Sequence, residues 1–153
     1  MALEPVVRRA VSSDLDPIVE IDGVSRLALI DQRGGHAWLA EHPALANLVA
    51  VDVIEHCVVG LIDDVVVGLA LWEIVDDSER GAILRIDRVH VVSQARELGF
   101  GDALLAMMVD IGRTRGCRYV EAQALPGDRE TKNLYERAGI TARLITVSRR
   151  LEG

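Results

Sequence analysis

The sequence predicts an α/β fold, a mixed central sheet flanked by helices, on three observations. Between Cys57 and Val92, three apolar runs are separated by short polar turns, which reads as an antiparallel meander. From Phe100 the period changes. Phe100, Ala103, Leu104, Met107, Met108 and Ile111 recur at three- and four-residue spacing, as on an amphipathic helix. Joining the two, the stretch from Val89 to Leu105 leaves an apolar strand, turns through Arg96, Gly99 and Gly101, and enters that helix directly. Such a junction converges backbone N–H groups and the positive end of a helix dipole on one point, an arrangement suited to phosphate.

Taken in order, Pro5–Val11 reads as a first strand. Ser12, Ser13 and Asp14 offer N-caps, and Asp16 suits the first turn of a helix that runs to about Asp31 with an interruption expected at Gly23. Gln32–Gly35 breaks it, and His36–Ala40 forms a short second helix before Pro43. Cys57–Ile62 and Val65–Val75 are strands joined by a tight Asp63-Asp64 turn. A polar loop, Asp76–Gly81, leads to a third strand over Ala82–Val92. The long helix closes with Arg113 and Arg115 in its last turn and Gly116 as C-cap. Cys117–Leu125 is a further strand, Pro126-Gly127 a turn, and Asp128 the N-cap of a helix over Arg129–Ala138. Ile140–Leu151 alternates as a closing strand. The predicted order is β–α–α–β–β–β–α–β–α–β in a single domain spanning residues 1–153.

Composition narrows the partners. The formal charge is -7 and aromatic residues make up 3% of the chain. Both argue against a nucleic-acid partner, which needs a basic face or stacking rings. An acidic surface suits a cationic acceptor such as an amine. Cys57 and Cys117 lack CxxC spacing and read as reduced, small apolar residues. No apolar run reaches the ~18 residues of a membrane span and no signal-peptide core is visible, so the expectation is a cytoplasmic protein without a membrane partner. No metal site is expected.

Two motifs then stand out together. Arg96-Glu97-Leu98-Gly99-Phe100-Gly101 opens the long helix, and Asn133-Leu134-Tyr135-Glu136-Arg137-Ala138-Gly139-Ile140 closes the last one. On these motifs, their separation and the strand order, the chain resembles the GNAT N-acetyltransferase superfamily over nearly its whole length. The resemblance implies an acyl-CoA-dependent N-acyltransferase that moves acetyl from acetyl-CoA, its co-substrate, to a primary amine by direct attack in a ternary complex. It also leaves open a GNAT-fold module that binds acyl-CoA as a sensor without transfer, or a longer acyl donor. The acceptor is a small molecule or a peptide, and because members often dimerise, a homodimer is an expectation of the resemblance alone.

By the same resemblance, Arg96, Glu97, Leu98, Gly99, Phe100, Gly101 and Asp102 hold the coenzyme A pyrophosphate. Glycines let the backbone approach the phosphates closely. Glu97 stands where many relatives have glycine, and Asp102 puts a carboxylate beside the phosphates. Val89 and Val91 offer backbone groups to the pantetheine arm, and the Val91 amide stabilises the oxyanion. Tyr135 matches the tyrosine that protonates the departing thiolate, a task for which a neutral phenol is suited. Asp128, where relatives often have a donor asparagine, cannot donate when ionised and reads as a cap. Glu73, Asp87, His90 and Glu121 are candidates for accepting the amine's proton. Asp87 is preferred because it shares a strand face with Val89 and Val91; its alternative use is an ion pair with Arg85 or Arg88. Strict alternation puts His90 on a face with Leu84, Ile86 and Val92, as a core histidine.

Overall fold

The computed structural model describes residues 4–151, and their hydrogen-bond registers build one five-stranded sheet in the order β1-β2-β3-β4-β5. Strand β1 (Val6–Arg9) pairs antiparallel with β2 (Cys57–Ile62), which is followed by β3 (Val65–Asp77) and β4 (Gly81–Val91), also antiparallel. The β2–β3 turn is as short as the sequence suggests. Asp63 and Asp64 both take left-handed backbone, φ 47° and 65°, the geometry whose twist matches a two-residue hairpin. Strand β5 (Tyr119–Ala122) then joins β4 in parallel, making the sheet mixed.

Helices cover both sides. Helix α1 (Leu15–Leu29) passes through Gly23, which faces open space, without the expected interruption. Helix α2 (Gly35–Glu41) follows, and α3 (Ala50–Glu55) was not foreseen. On this side Ile18, Ile21, Leu45 and Val53 pack on Val59, Leu69 and Leu71. The opposite side carries α4 (Phe100–Thr114) and α5 (Arg129–Arg137), where Leu104, Leu105, Met108 and Tyr135 pack on Val58, Ala70, Trp72 and Ile86. Among the described residues no helix is long and apolar enough to cross a membrane.

Two expectations are corrected. Residues 141–151 form no strand: Leu144, Ile145, Val147 and Leu151 are exposed, and no sheet edge pairs with them. Alternation slips at the adjacent Leu144 and Ile145, and an unpaired strand has no ladder to hold it. The second correction concerns β4. Trp72 pairs with Ile86 while the preceding Leu71 pairs with Arg88, so Asp87 is an extra residue in a β-bulge. Leu84 and Ile86 face α4 before the bulge; Val89 and Val91 face it afterwards. Arg88 and His90 therefore turn toward α1, away from Leu84 and Ile86 and onto the side where Val92 packs.

Candidate active site

A strand edge and a helix start meet beside each other. β5 accompanies β4 only over Ile83–Ile86, so among the described residues no strand lies along the outer edge of β4 from Asp87 to Val91. The Val92 N–H bonds back to the Val67 carbonyl in β3. Because N–H and C=O groups alternate in direction along a strand, those of Val89 and Val91 point to the open edge. This is the disposition expected of groups that pair with an extended ligand.

Past Val91 the chain turns through a 3-10 segment, Ser93–Ala95, whose Ala95 is buried, into the exposed loop Arg96–Gly99. Glu97 adopts φ 66° and Gly99 φ 88°. The left-handed geometry at Glu97 is one that glycine adopts freely and that strains a side chain. Gly99 is the N-cap of α4 and no side chain caps the first turn, so the amides of Phe100, Gly101 and Asp102 open outward at the positive end of the helix. The side chain of Phe100 instead plugs the core against Gly60, where a Cβ would come within 2.7 Å of it. Gly101 has a packing reason of its own: a Cβ there would sit 3.1 Å from the Leu134 side chain, so the glycine lets α5 approach α4. Leu98 is 43% exposed on the loop.

Charge at this helix start is balanced by a residue to which the motifs assign no role. Arg137, in the last turn of α5, bonds Asp102 through Nε at 3.0 Å. The acid that stood to oppose phosphate is thus paired, and Arg96 adds a further cation on the loop. The residues fit an anionic, phosphate-bearing co-substrate: uncapped amides, a glycine turn and an offset carboxylate.

Tyr135 projects from α5 into the same cluster as Val89 and Val91 and is 7% exposed. Burial, reinforced by the negative charges of Asp128 and Asp87, pushes its pKa far above that of an ordinary phenol. It stays a protonated donor at any physiological pH. Asp128 caps α5, accepting from the Thr131 N–H at 3.1 Å and its hydroxyl at 2.7 Å. That is the capping role expected of it.

The carboxylates considered as bases are mostly engaged. Glu121 bonds Arg80 and Arg85; although burial opposes its charge, those partners hold its pKa below the usual range. Glu73 lies near Arg85, at 3.7 Å. Asp87 accepts from Arg88 Nε at 2.6 Å, and the same guanidinium reaches Asp22 Oδ1 at 2.9 Å. Burial raises the Cys57 thiol to about 12, which removes it as a nucleophile.

The comparisons with known proteins bear on the family and the fold. The model of the acetyltransferase (GNAT) family matches residues 24–140, well over half of the chain. The chain belongs to the GNAT acetyltransferase family. Solved structures share the fold of this GNAT chain over nearly all of its length. A Trypanosoma brucei acetyltransferase is 25% identical, covering 97% of this chain and 100% of its own, with TM-score 0.68. The aminoglycoside N-acetyltransferase AAC(6')-Iy in complex with CoA is 19% identical, over 96% and 95% of the two chains, with TM-score 0.67. An aminoglycoside acetyltransferase from an uncultured soil metagenomic sample is 15% identical, over 98% and 100%, with TM-score 0.70. No curated protein matches the sequence.

The GNAT chain also carries a polar cluster on the α1 side of β4 that sequence reasoning missed. Asp22 and Arg88 are 1% and 3% exposed. Asp22 receives the Leu45 N–H at 2.9 Å as well as Arg88, and His90 Nε2 lies 3.3 Å away. Trp38 of α2 stacks on His42 at 4.2 Å between ring centroids and meets His90 edge-on at 6.3 Å. The signal for Asp22 was present: it shares the buried stripe of α1 with Ile18 and Ile21, where an acid needs a buried partner. A surface recess lined by Gln32, Arg33, Pro126 and residues 127–130 lies beside this side, between the α1–α2 and β5–α5 turns, rather than on the phosphate loop.

Proposed function

We propose that this protein transfers an acetyl group from acetyl-CoA to a primary amine by direct attack within a ternary complex. One observation carries the reading: the open edge of β4 at Val89–Val91 runs to the uncapped start of α4, with buried Tyr135 alongside. Residues Arg96–Asp102 would receive the pyrophosphate through backbone N–H groups, and the edge of β4 the pantetheine arm. The Val91 amide would then donate to the carbonyl oxygen as negative charge gathers there, a term worth about 2.7–4 kcal/mol for a single oxyanion donor. Tyr135 would protonate the sulfur as it departs, its neutrality secured by burial.

Asp87 borders this chemistry. Its carboxylate is either the amine's proton acceptor or the anchor of Arg88, and the 2.6 Å bond favours the anchor. The aminoglycoside acetyltransferases among the structural neighbours support a small-molecule amine as acceptor over a peptide. The domain would act as one unit over residues 1–153, without a metal. The test is thiol release from acetyl-CoA against a panel of amines that includes aminoglycosides, beside calorimetry with coenzyme A. Acceptor-dependent thiol release is the expected result. Binding without release by any amine would replace the enzyme with an acyl-CoA sensor.

A further inference from the structure

The ammonium form of an amine must shed a proton before it attacks, and Asp87, the acceptor the sequence favours, is held by Arg88. We propose that His90 takes this proton, with Asp22 as the residue that positions it. The proposal rests on the acyltransferase reading above and adds the acceptor side of the same site.

The first argument is placement. His90 precedes Val91, whose N–H faces the open edge of β4. Its side chain leaves the strand on the α1 side, opposite Tyr135, because the bulge at Asp87 has shifted the alternation. Direct attack needs two proton transfers at separate ends of one carbonyl carbon, at the nitrogen that arrives and at the sulfur that leaves. A strand edge with a phenol on one side and an imidazole on the other meets that requirement. Asp87 does not, since its charge acts on Tyr135 and its oxygen is held by Arg88.

The second argument is the chemistry of the pair. Burial opposes the Asp22 charge, but the His90 ring, the Leu45 N–H and Arg88 outweigh it and hold the carboxyl below its ordinary pKa. An ionised carboxylate only accepts, so the ring nitrogen facing it, Nε2, carries the hydrogen and Nδ1 keeps a lone pair. A base oriented by a third group in this way is the arrangement general-base catalysis uses. Nε2 lies 3.3 Å from Asp22 Oδ1 without the alignment of a hydrogen bond, and is otherwise buried without a partner. Such contacts tighten when charge develops on the ring. Facing His90 are Asp22 from α1, Arg88 from β4 and Trp38 from α2, with His42 behind Trp38.

The protons balance as follows. His90 Nδ1 takes one proton from the ammonium, directly or through one water, and frees the nitrogen lone pair. The N–C bond forms as the carbonyl pair moves onto oxygen beneath the Val91 amide. That pair returns, the C–S bond breaks with its electrons on sulfur, and Tyr135 gives sulfur its proton. The phenolate recovers the excess proton of the N-protonated amide, which leaves the neutral amide product, and His90 releases its own proton to solvent.

The test has one arm that needs no turnover. Long-range ¹⁵N–¹H spectra of the wild-type imidazoles, with His90 assigned through His90→Gln, should show His90 as the Nε2–H tautomer at neutral pH. An Nδ1–H tautomer would overturn the proposal whatever the protein catalyses. The kinetic arm compares His90→Gln with Asp87→Asn, using acetyl-CoA and an accepted amine. His90→Gln should lower kcat/KM by about 10²–10⁴-fold and leave coenzyme A binding by calorimetry unchanged. Imidazole added to His90→Ala should restore part of the rate. The proposal falls if His90→Gln keeps its rate within twofold, or if Asp87→Asn is the variant that loses the rate. If wild type releases thiol with no amine, the acyltransferase reading fails by itself, and the tautomer still decides the geometry of the pair.

Discussion

The two sides of β4 beyond Asp87 differ in kind although they belong to the same four residues. One side is apolar: Val89 and Val91 join Leu104, Leu105 and Tyr135 beneath α4 and α5. The other is ionic: Arg88 and His90 meet Asp22 beneath α1, with Trp38 over the guanidinium at 5.3 Å. The difference teaches how one strand can serve opposite needs. A dry side keeps a phenol neutral, and a paired, hydrogen-bonded side keeps a carboxylate ionised without leaving it alone in the core.

The largest break of this comparison comes from its ionic side. Arg88→Met should destabilise the fold by about 3–5 kcal/mol in urea denaturation, because Asp22 would stay buried without its guanidinium partner. Loss of less than about 1 kcal/mol would mean that Asp22 finds water instead. Tyr135→Phe should act on the other side in the opposite way. Thiol release should fall by about 10²–10⁴-fold, while the urea midpoint barely moves, since the ring and its packing remain. A variant that keeps full turnover would end the assignment of Tyr135 as acid.

Acid should separate the sides further. The Asp22 carboxyl is held below its ordinary value, so its contribution is fully present above the unfolded pKa of about 3.9 and is lost as pH falls through the folded value. Measured by urea midpoints, the gap between wild type and Asp22→Asn should therefore narrow below about pH 4; a constant gap would show that the charge is irrelevant. Asp14, buried against Arg8 at 2.7 Å, is shifted in the same direction and steepens the acid limb of wild type. The smallest effect is a gain. Glu97→Gly should stabilise the protein by about 1 kcal/mol, the order of the strain of a side chain in left-handed backbone, and leave coenzyme A binding intact if backbone donors carry it.

Most of the apolar side was legible in the sequence. The helical period from Phe100 to Ile111, the hairpin at Asp63-Asp64 and the cap at Asp128 depend on neighbours within a few residues, where local chemistry decides. The ionic side was not. Asp22 and Arg88 are 66 positions apart, and nothing in either local pattern names the other. The bulge hides for a different reason: it adds one residue to a strand without altering its composition, so a period of two carried through Asp87 assigns every later side chain to the wrong side. Residues 141–151 err the other way, since a strand-like pattern does not supply the partner that makes a strand.

That single extra residue also divides the labour of the chain by region. The segments that reach the ionic side, α1 and α2, come before the sheet's central hairpin, and those that reach the apolar side, α4 and α5, come after it. Under the proposed reaction, amine and thioester would thus be held by segments from opposite sides of that hairpin in the chain.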